Sequence, residues 1–369
     1  MPVRVTKIRS HDDDPGGLPR TLRFPHSQFP EQPRGSIRIG LINNMPDAAF
    51  KATERQFISL LDAASGGIEV RLSLYTLPSI PRTEPVVRRA ASHYANVETL
   101  WNGGADDFDG PDGIDGLDGL IVTGKDPVSA DLRDEPCWQT MTQIIEWAQE
   151  NTHSTVWSCL AAHAAVLHMD GIQRRRNGGK YFGIFECARV SEHPLLAGAP
   201  PRFKIPHSRW NGISAEDLEA RGYSVLARTV EGGADAGAGA GVDTFVKEGK
   251  SLFVFLQGHP EYERDTLLRE YRRDVERYLR REASAHPGIP RGYFDPATER
   301  ALAALREKAM SAPDNELCTH LAAALKTSAV ENTWHRTAAR IYRNWLECIC
   351  ARKNEQKSKP HSAVLSMSR

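Results

Sequence analysis

STVWSCLAAHAA, at residues 154–165, changes its pattern in the middle. Thr155, Val156 and Trp157 favour a β-strand, whereas the small residues from Ala161 onward favour a helix. Cys159 lies at the junction, and a sharp strand-to-helix turn holds its central residue at the carboxyl edge of a sheet. A helix N-terminus at that edge lowers a thiol pKa and offers N–H donors. The pattern therefore indicates a nucleophilic cysteine, although a buried structural cysteine would have the same local pattern.

Apolar segments on the N-terminal side of this stretch alternate between the periods of strands and helices. The strands are predicted at residues 36–42, 70–77 and 117–123, and the helices at residues 48–63 and 136–150. This order predicts an α/β fold with a mostly parallel sheet flanked by helices. Ligands of such sheets bind beyond the carboxyl ends of the strands, where Asn43, Gly124 and Cys159 are expected.

The chain divides into four segments of different composition. We expect a flexible N-terminal arm at residues 1–34, an α/β domain at 35–289, a C-terminal helical segment at 290–352 and a disordered tail at 353–369. Helices are predicted at residues 296–310 and 333–351 of the third segment. A Gly/Ala-rich stretch at residues 231–241 is predicted to be a mobile surface loop.

The composition excludes several classes of function. The 369 residues contain 47 Lys+Arg and 47 Asp+Glu, so the chain has no basic field for nucleic acid or membranes. The sequence also has no apolar run of membrane-spanning length, and its N-terminus lacks the apolar core of a signal peptide. Six cysteines, of which only Cys348 and Cys350 are close in sequence, predict free thiols, no metal site and a cytoplasmic location.

His259 and Glu261 follow a second apolar strand, predicted at residues 251–256 as part of a hairpin with residues 243–247. If this strand runs parallel to the central one, both side chains lie at the same edge as Cys159. Histidine can act as base and acid near neutral pH, and a glutamate can orient the imidazole. The spacing alone is a weak signal, because a solvated turn would have the same residues, but together with Cys159 it predicts a catalytic triad.

Several longer stretches resemble the homoserine O-succinyltransferase family, in chain order, across residues 36–350. The matching stretches are residues 41–46, 53–57, 119–124, 138, 154–165, 171–172, 180–185, 206–209, 258–262, 273–274 and 344–346. The resemblance implies a class I glutamine amidotransferase-like, flavodoxin-like fold with a Cys-His-Glu triad.

The resemblance also implies a role for individual residues. Cys159 would take the acyl group of an acyl-CoA as a thioester, with His259 as general base and acid and Glu261 as its orienting partner. The N–H of Leu160 would help to form the oxyanion hole. The residues implied to bind the amino-acid substrate are Lys180, Ser208 and Arg273. Arginine suits a carboxylate because it can donate two hydrogen bonds at once, although Arg273 could also belong to a solvated helix face.

The sequence leaves the substrates open. Val128 matches the position that selects the acyl group, but it is neither the glycine nor the glutamate familiar there. We therefore expect succinyl-CoA or acetyl-CoA as co-substrate, no bound cofactor, and L-homoserine in methionine biosynthesis or L-serine as acceptor. The alternative functions are a glutamine amidotransferase or hydrolase and a non-catalytic binding protein. The oligomeric state is also open, with a homodimer as one candidate.

Overall fold

A computed structural model describes residues 3–5, 35–102, 116–230 and 241–358. Outside these ranges lie residues 231–240 of the predicted loop, most of the predicted arm and the end of the predicted tail. The strands are β1 (Val3–Val5), β2 (Ser36–Ile42), β3 (Glu69–Thr76), β4 (Ala95–Asn96), β5 (Gly119–Val122), β6 (Ser154–Ser158), β7 (Arg175–Arg189), β8 (Arg202–Gly212), β9 (Ser224–Thr229), β10 (Val242–Lys247) and β11 (Leu252–Leu256). The helices are α1 (Asp47–Ala64), α2 (Glu84–His93), α3 (Thr99–Asn102), α4 (Trp138–Asn151), α5 (Leu160–Asp170), α6 (Ala215–Glu219), α7 (Thr266–Leu279), α8 (Pro296–Ser311), α9 (Leu317–Lys326) and α10 (His335–Ser358).

All the strands described belong to one sheet, in the order β1-β3-β2-β5-β6-β11-β10-β9-β7-β8, with β4 beside β3. The pairings from β1 to β11 are parallel, and those from β11 to β8 are antiparallel. The predicted α/β fold with a mostly parallel sheet is therefore confirmed. The predicted hairpin of β10 and β11 is confirmed as well.

Helices cover both faces of the sheet because its central strands are apolar on both sides. Every residue of β5, β6 and β11 is buried. Neighbouring residues of β6 point to opposite layers: Val156 packs in the core that α1 and α10 share, and Trp157 packs in the core that α4 and α5 share. Gly171 ends α5 in the left-handed conformation, at φ 71°, where glycine has no steric penalty.

The C-terminal segment is helical, as predicted, but differs in detail. It contains a third helix, α9, in which Leu317, Leu321 and Leu325 form a helical stripe that packs with α7 and α8. The predicted disordered tail is wrong for residues 353–358, which continue α10. Lys353 anchors this end because its Nζ donates to Asp118 Oδ2 at 2.8 Å.

At the other end, the prediction of a flexible arm is wrong for Val3–Val5, because these residues pair with β3. Within the described ranges, the structure has no helix that combines the length and the apolar character needed to cross a bilayer.

Candidate active site

Cys159 lies in the turn between β6 and α5. Its φ of 51° and ψ of −111° are sparsely populated by residues with a side chain. The turn is fixed because the Cys159 N–H donates to the carbonyl of Leu256, the last residue of β11, at 2.8 Å. The strained turn holds a half-buried thiol at the carboxyl edge of the sheet, as the sequence predicts.

His259 and Glu261 lie in the loop that follows β11. The two side chains are buried, and His259 Nδ1 lies 2.8 Å from Glu261 Oε1. The imidazole stacks on the Tyr262 ring with centroids 4.3 Å apart, and the His259 N–H donates to the Pro206 carbonyl at 2.8 Å. Nδ1 faces the carboxylate, so Nε2 is the imidazole nitrogen that remains for proton exchange with the Cys159 thiol.

Cys159, His259 and Glu261 form a row. The electrostatics of this row favour a proton on the imidazole. Burial alone would lower the pKa of His259, but the Glu261 carboxylate and the Cys159 sulfur together raise that pKa well above its usual value. An imidazole with this bias can accept the thiol proton. The arrangement can therefore generate a thiolate nucleophile.

The sheet register explains why the thiol and the imidazole meet. β6 and β11 are parallel neighbours, with Ser158 opposite Leu256, so the residues after each strand emerge side by side. Gly258 allows the loop to pass close to the sheet. A Cβ at this position would lie 2.4 Å from Ile205 Cγ2 and 2.8 Å from Asp243 Oδ1, so another residue here would displace the loop.

Leu160 is the first residue of α5, and the N–H groups of a first turn have no partner within the helix. Its N–H lies beside Gly124, where an added Cβ would come within 2.9 Å of the Leu160 nitrogen. Glycine at 124 thus leaves space next to this donor. A developing oxyanion could use that space.

The structure brings Lys180, Ser208 and Arg273 together through two acidic residues of α7. Lys180 Nζ lies 3.3 Å from Asp274 Oδ2, and Arg273 Nη2 lies 2.8 Å from Asp274 Oδ1. The Ser208 hydroxyl donates to Glu270 Oε2 at 2.7 Å. Arg273 therefore belongs to a polar cluster, and its side chain is 42% exposed.

Glu270 and Asp274 are functional candidates that the sequence reasoning missed. Tyr262, whose ring stacks on His259, donates through its hydroxyl to Glu270 Oε1 at 2.6 Å. The acidic pair therefore lies next to the thiol–imidazole row. Glu270 and Asp274 are four residues apart on α7, with Arg273 between them. This i,i+4 spacing is the sequence signal that could have indicated the acidic pair.

Val128 lies on a loop that Glu135 holds in place. One Glu135 oxygen accepts from the N–H groups of Val128 and Ser129, both at 2.7 Å, and the other pairs with Lys125. Burial would raise the pKa of Glu135, but Lys125 and these N–H groups lower it. Val128 is 76% exposed. Glu135 thus fixes the backbone of this loop, whereas the Val128 side chain is open to solvent.

A second buried group, formed by Cys187, His207 and Asp243, is separate from the row at Cys159. The possible ligand atoms of these three residues lie within 4.8 Å of one another. His207 Nδ1 accepts from Arg209 Nε at 3.2 Å, which leaves a proton on Nε2, 3.1 Å from Asp243 Oδ1. Burial raises the pKa of the Cys187 thiol, so the sulfur keeps its proton. This chemistry suits a hydrogen-bonded support beneath Gly258 better than a metal site.

Comparison with known proteins adds a family to this geometry. The family model described as homoserine O-succinyltransferase matches residues 24–356. Two curated proteins with this name, from Rhodopseudomonas palustris and Bradyrhizobium japonicum, are 44% and 42% identical to this chain. The alignments cover 87% and 84% of this chain and 91% and 89% of those proteins.

Solved structures are similar at a greater distance. A glutamine amidotransferase from Thermotoga maritima has 14% sequence identity and a TM-score of 0.41, over 85% of this chain and 97% of that chain. A glutamine amidotransferase from Methylobacillus flagellatus has 13% identity and a TM-score of 0.44, over 84% and 94%.

The fold and the site together define an α/β protein with a thiol in a strained strand-to-helix turn, next to a buried His–Glu pair. The extent and identity of the matches then establish the family. The chain belongs to the homoserine O-succinyltransferase family, and it is a transferase.

Proposed function

We propose that this protein transfers a succinyl or acetyl group from acyl-CoA to the hydroxyl of L-homoserine through a thioester on Cys159. The observation that supports this most directly is the row formed by a thiol in a strained turn after β6, an imidazole just after the parallel neighbour β11, and the Glu261 carboxylate 2.8 Å from imidazole Nδ1. The relatives carry the name of this reaction.

In the first half-reaction, His259 Nε2 takes the thiol proton as the sulfur of Cys159 attacks the acyl carbonyl carbon. The N–H of Leu160 stabilises the oxyanion that forms. The bond between the carbonyl carbon and the CoA sulfur then breaks, and CoA leaves with the proton from His259. Glu261 keeps the imidazole in the tautomer and orientation that this exchange needs.

In the second half-reaction, the acceptor hydroxyl gives its proton to His259 as its oxygen attacks the thioester carbon. The carbon–sulfur bond to Cys159 breaks, and the thiolate takes the proton back. The product is an O-acyl amino acid, and the enzyme returns to its starting state.

The polar cluster around α7 suits a free amino acid as acceptor. Lys180 and Arg273 can bind its carboxylate, while Glu270 and Asp274 can bind its ammonium group. Ser208 supplies a hydroxyl for a small polar head group. The loop that carries Val128 would border the acyl donor. We place this activity in the cytoplasm, in methionine biosynthesis, with CoA as co-substrate and no bound cofactor.

Steady-state assays with purified protein test this proposal. Succinyl-CoA or acetyl-CoA is combined with L-homoserine or L-serine, and the release of the CoA thiol is followed. We expect thiol release that depends on homoserine. A faster reaction with serine would contradict the acceptor, and ammonia release from glutamine without acyl transfer would favour an amidotransferase instead.

A further inference from the structure

Arg174 lies between the end of α5 and the start of β7 and reaches the loop that precedes α4. Its Nη2 donates to the carbonyls of Ser129 and Ala130, at 3.2 and 2.8 Å. Its Nη1 is shielded from solvent and has no hydrogen-bond partner among the described residues. The guanidinium is thus fixed through Nη2, while Nη1 has N–H donors available for a ligand.

This guanidinium also interacts with the thiol through its charge. Burial lowers the pKa of Arg174, while Glu135, Asp131 and Cys159 oppose that shift through their charges. The geometry connects this arginine to the edge at Cys159 through the loop. Arg174 holds the Ser129 and Ala130 carbonyls, and the Ser129 N–H donates to Glu135. Glu135 lines the same pocket as Leu160, the residue after Cys159. Arg174 is therefore a cation fixed against the loop that borders the turn of Cys159.

The other cations near this position already have partners. Lys125 pairs with Glu135, in the same loop. Arg209, which also interacts with Cys159 through its charge, is buried and donates to His207 Nδ1 and to the carbonyl of Asn211. Of these three cations, Arg174 is the one with a buried nitrogen that has no partner among the described residues.

We propose that the guanidinium of Arg174 binds the terminal carboxylate of a dicarboxylic acyl group, such as succinyl, while that group is carried by Cys159. Arginine is suited to this task because its planar donors match a carboxylate. Arg174 then determines donor specificity by favouring succinyl-CoA over acetyl-CoA. The inference rests on the proposed function, since it presupposes acyl transfer through Cys159.

The test is a comparison of kcat/KM for succinyl-CoA and acetyl-CoA in wild type, Arg174→Gln, Arg174→Lys and the control Arg175→Gln. Arg175 is the adjacent arginine, exposed and paired with Asp217. We expect Arg174→Gln to lower kcat/KM for succinyl-CoA about tenfold or more. The value for acetyl-CoA should stay within about twofold, because acetyl has no carboxylate to bind.

Arg174→Lys keeps the charge but not the planar fork, so an intermediate loss confined to succinyl-CoA is expected. Arg175→Gln should leave the ratio of the two donors unchanged. The acetyl-CoA reaction also reports whether each variant is folded, and the lysine variant preserves the test if the glutamine variant fails to fold.

Three results would overturn the inference. Equal losses with both donors would assign Arg174 to the CoA phosphates or to the structure of the loop, because the two donors share the CoA part. Unchanged kinetics with both would remove Arg174 from the site. A wild type that uses acetyl-CoA but not succinyl-CoA would contradict the inference while leaving acyl transfer intact. Acyl transfer from neither donor would instead contradict the proposed function, and the inference with it.

Discussion

At the scale of single residues, the site combines one strained backbone position with one strongly biased imidazole. Cys159 is held in an unfavourable conformation by its hydrogen bond to β11, and this exposes its sulfur. His259 lies between the sulfur and the Glu261 carboxylate. Each of these features depends on the others, so we expect the three residues to act as a unit.

The first prediction concerns His259 and Glu261. His259→Ala should depress both acylation and deacylation, because the same imidazole moves the proton in each. Glu261→Ala should depress them less, because the imidazole remains but loses its orientation. The double variant should be little worse than His259→Ala alone, since groups that act as one unit are non-additive. Single-turnover rates for the three variants test this, and near wild-type rates in His259→Ala would refute the role of the imidazole.

The second prediction concerns the buried His163. Its Nε2 bonds Gln257 Oε1 at 3.1 Å, and burial lowers its pKa to about 3. Below pH ~6.5 the unfolded chain binds this proton and the folded chain does not, so stability is lost as pH falls from ~6.5 towards ~3. His163→Gln removes this loss.

Urea unfolding at about pH 7.5 and pH 5 measures the effect. Relative to wild type, the free energy of unfolding of His163→Gln should improve by about 2 kcal/mol on going to the lower pH. The exposed His320→Gln variant serves as the control for loss of an imidazole. A difference between wild type and His163→Gln that is the same at both pH values would show that folding does not lower the pKa of His163.

At the scale of elements, the strands and the turn that holds Cys159 were predictable because their signals are local. Apolar runs marked the buried strands, and the change of period at Cys159 marked the turn. The sequence left the direction of β11 as a condition, and the structure shows that β11 runs parallel to β6. With that direction, Cys159, His259 and Glu261 lie at one edge.

What the sequence did not reveal depends on contacts between distant elements. Glu270 and Asp274 look like solvated helix residues until β7 and β8 bring Lys180 and Ser208 against α7. Arg174 likewise is one of three adjacent arginines, and only the position of the Ser129 loop distinguishes it. The polar end of α10 was mistaken for a disordered tail because its anchor, Asp118, is far away in sequence.

The third prediction concerns α7. Arg273→Ala should raise the KM for the amino acid much more than the KM for acyl-CoA, by about tenfold or more, because a charge-assisted hydrogen bond contributes about 1.5–3 kcal/mol. Arg272→Ala is the matched control, since Arg272 is exposed and pairs with Glu276 on the outer side of the helix. Equal, small effects of both variants on both substrates would reduce Arg273 to a surface charge.

At the scale of the whole molecule, the C-terminal helices are part of the folded unit that supports the site. Trp345 of α10 is buried, and its Nε1 donates to Ser154 Oγ at the start of β6, at 2.9 Å. Trp334, just before α10, donates to the carbonyl of Tyr262 in the triad loop at 2.8 Å. The segment around α10 therefore contacts both the beginning of β6 and the loop that follows β11.

The fourth prediction follows from this packing. Trp345→Ala should lower the free energy of unfolding by about 3–5 kcal/mol, because it leaves a cavity against the central strand. The exposed Arg336→Ala variant in the same helix should stay within about 0.5 kcal/mol of wild type. Denaturant unfolding compares the two, and a Trp345→Ala protein as stable as Arg336→Ala would show that α10 is dispensable for the core.

The central claim is that Cys159 carries the acyl group, and mass spectrometry tests it most directly. Wild-type protein incubated with succinyl-CoA or acetyl-CoA, without acceptor, should gain one acyl group, and peptide mapping should place it on Cys159. The group should be released on addition of L-homoserine, and Cys159→Ser should form no such thioester while remaining folded. An adduct on another cysteine, such as Cys187, or acyl transfer by Cys159→Ser at the wild-type rate, would contradict the claim.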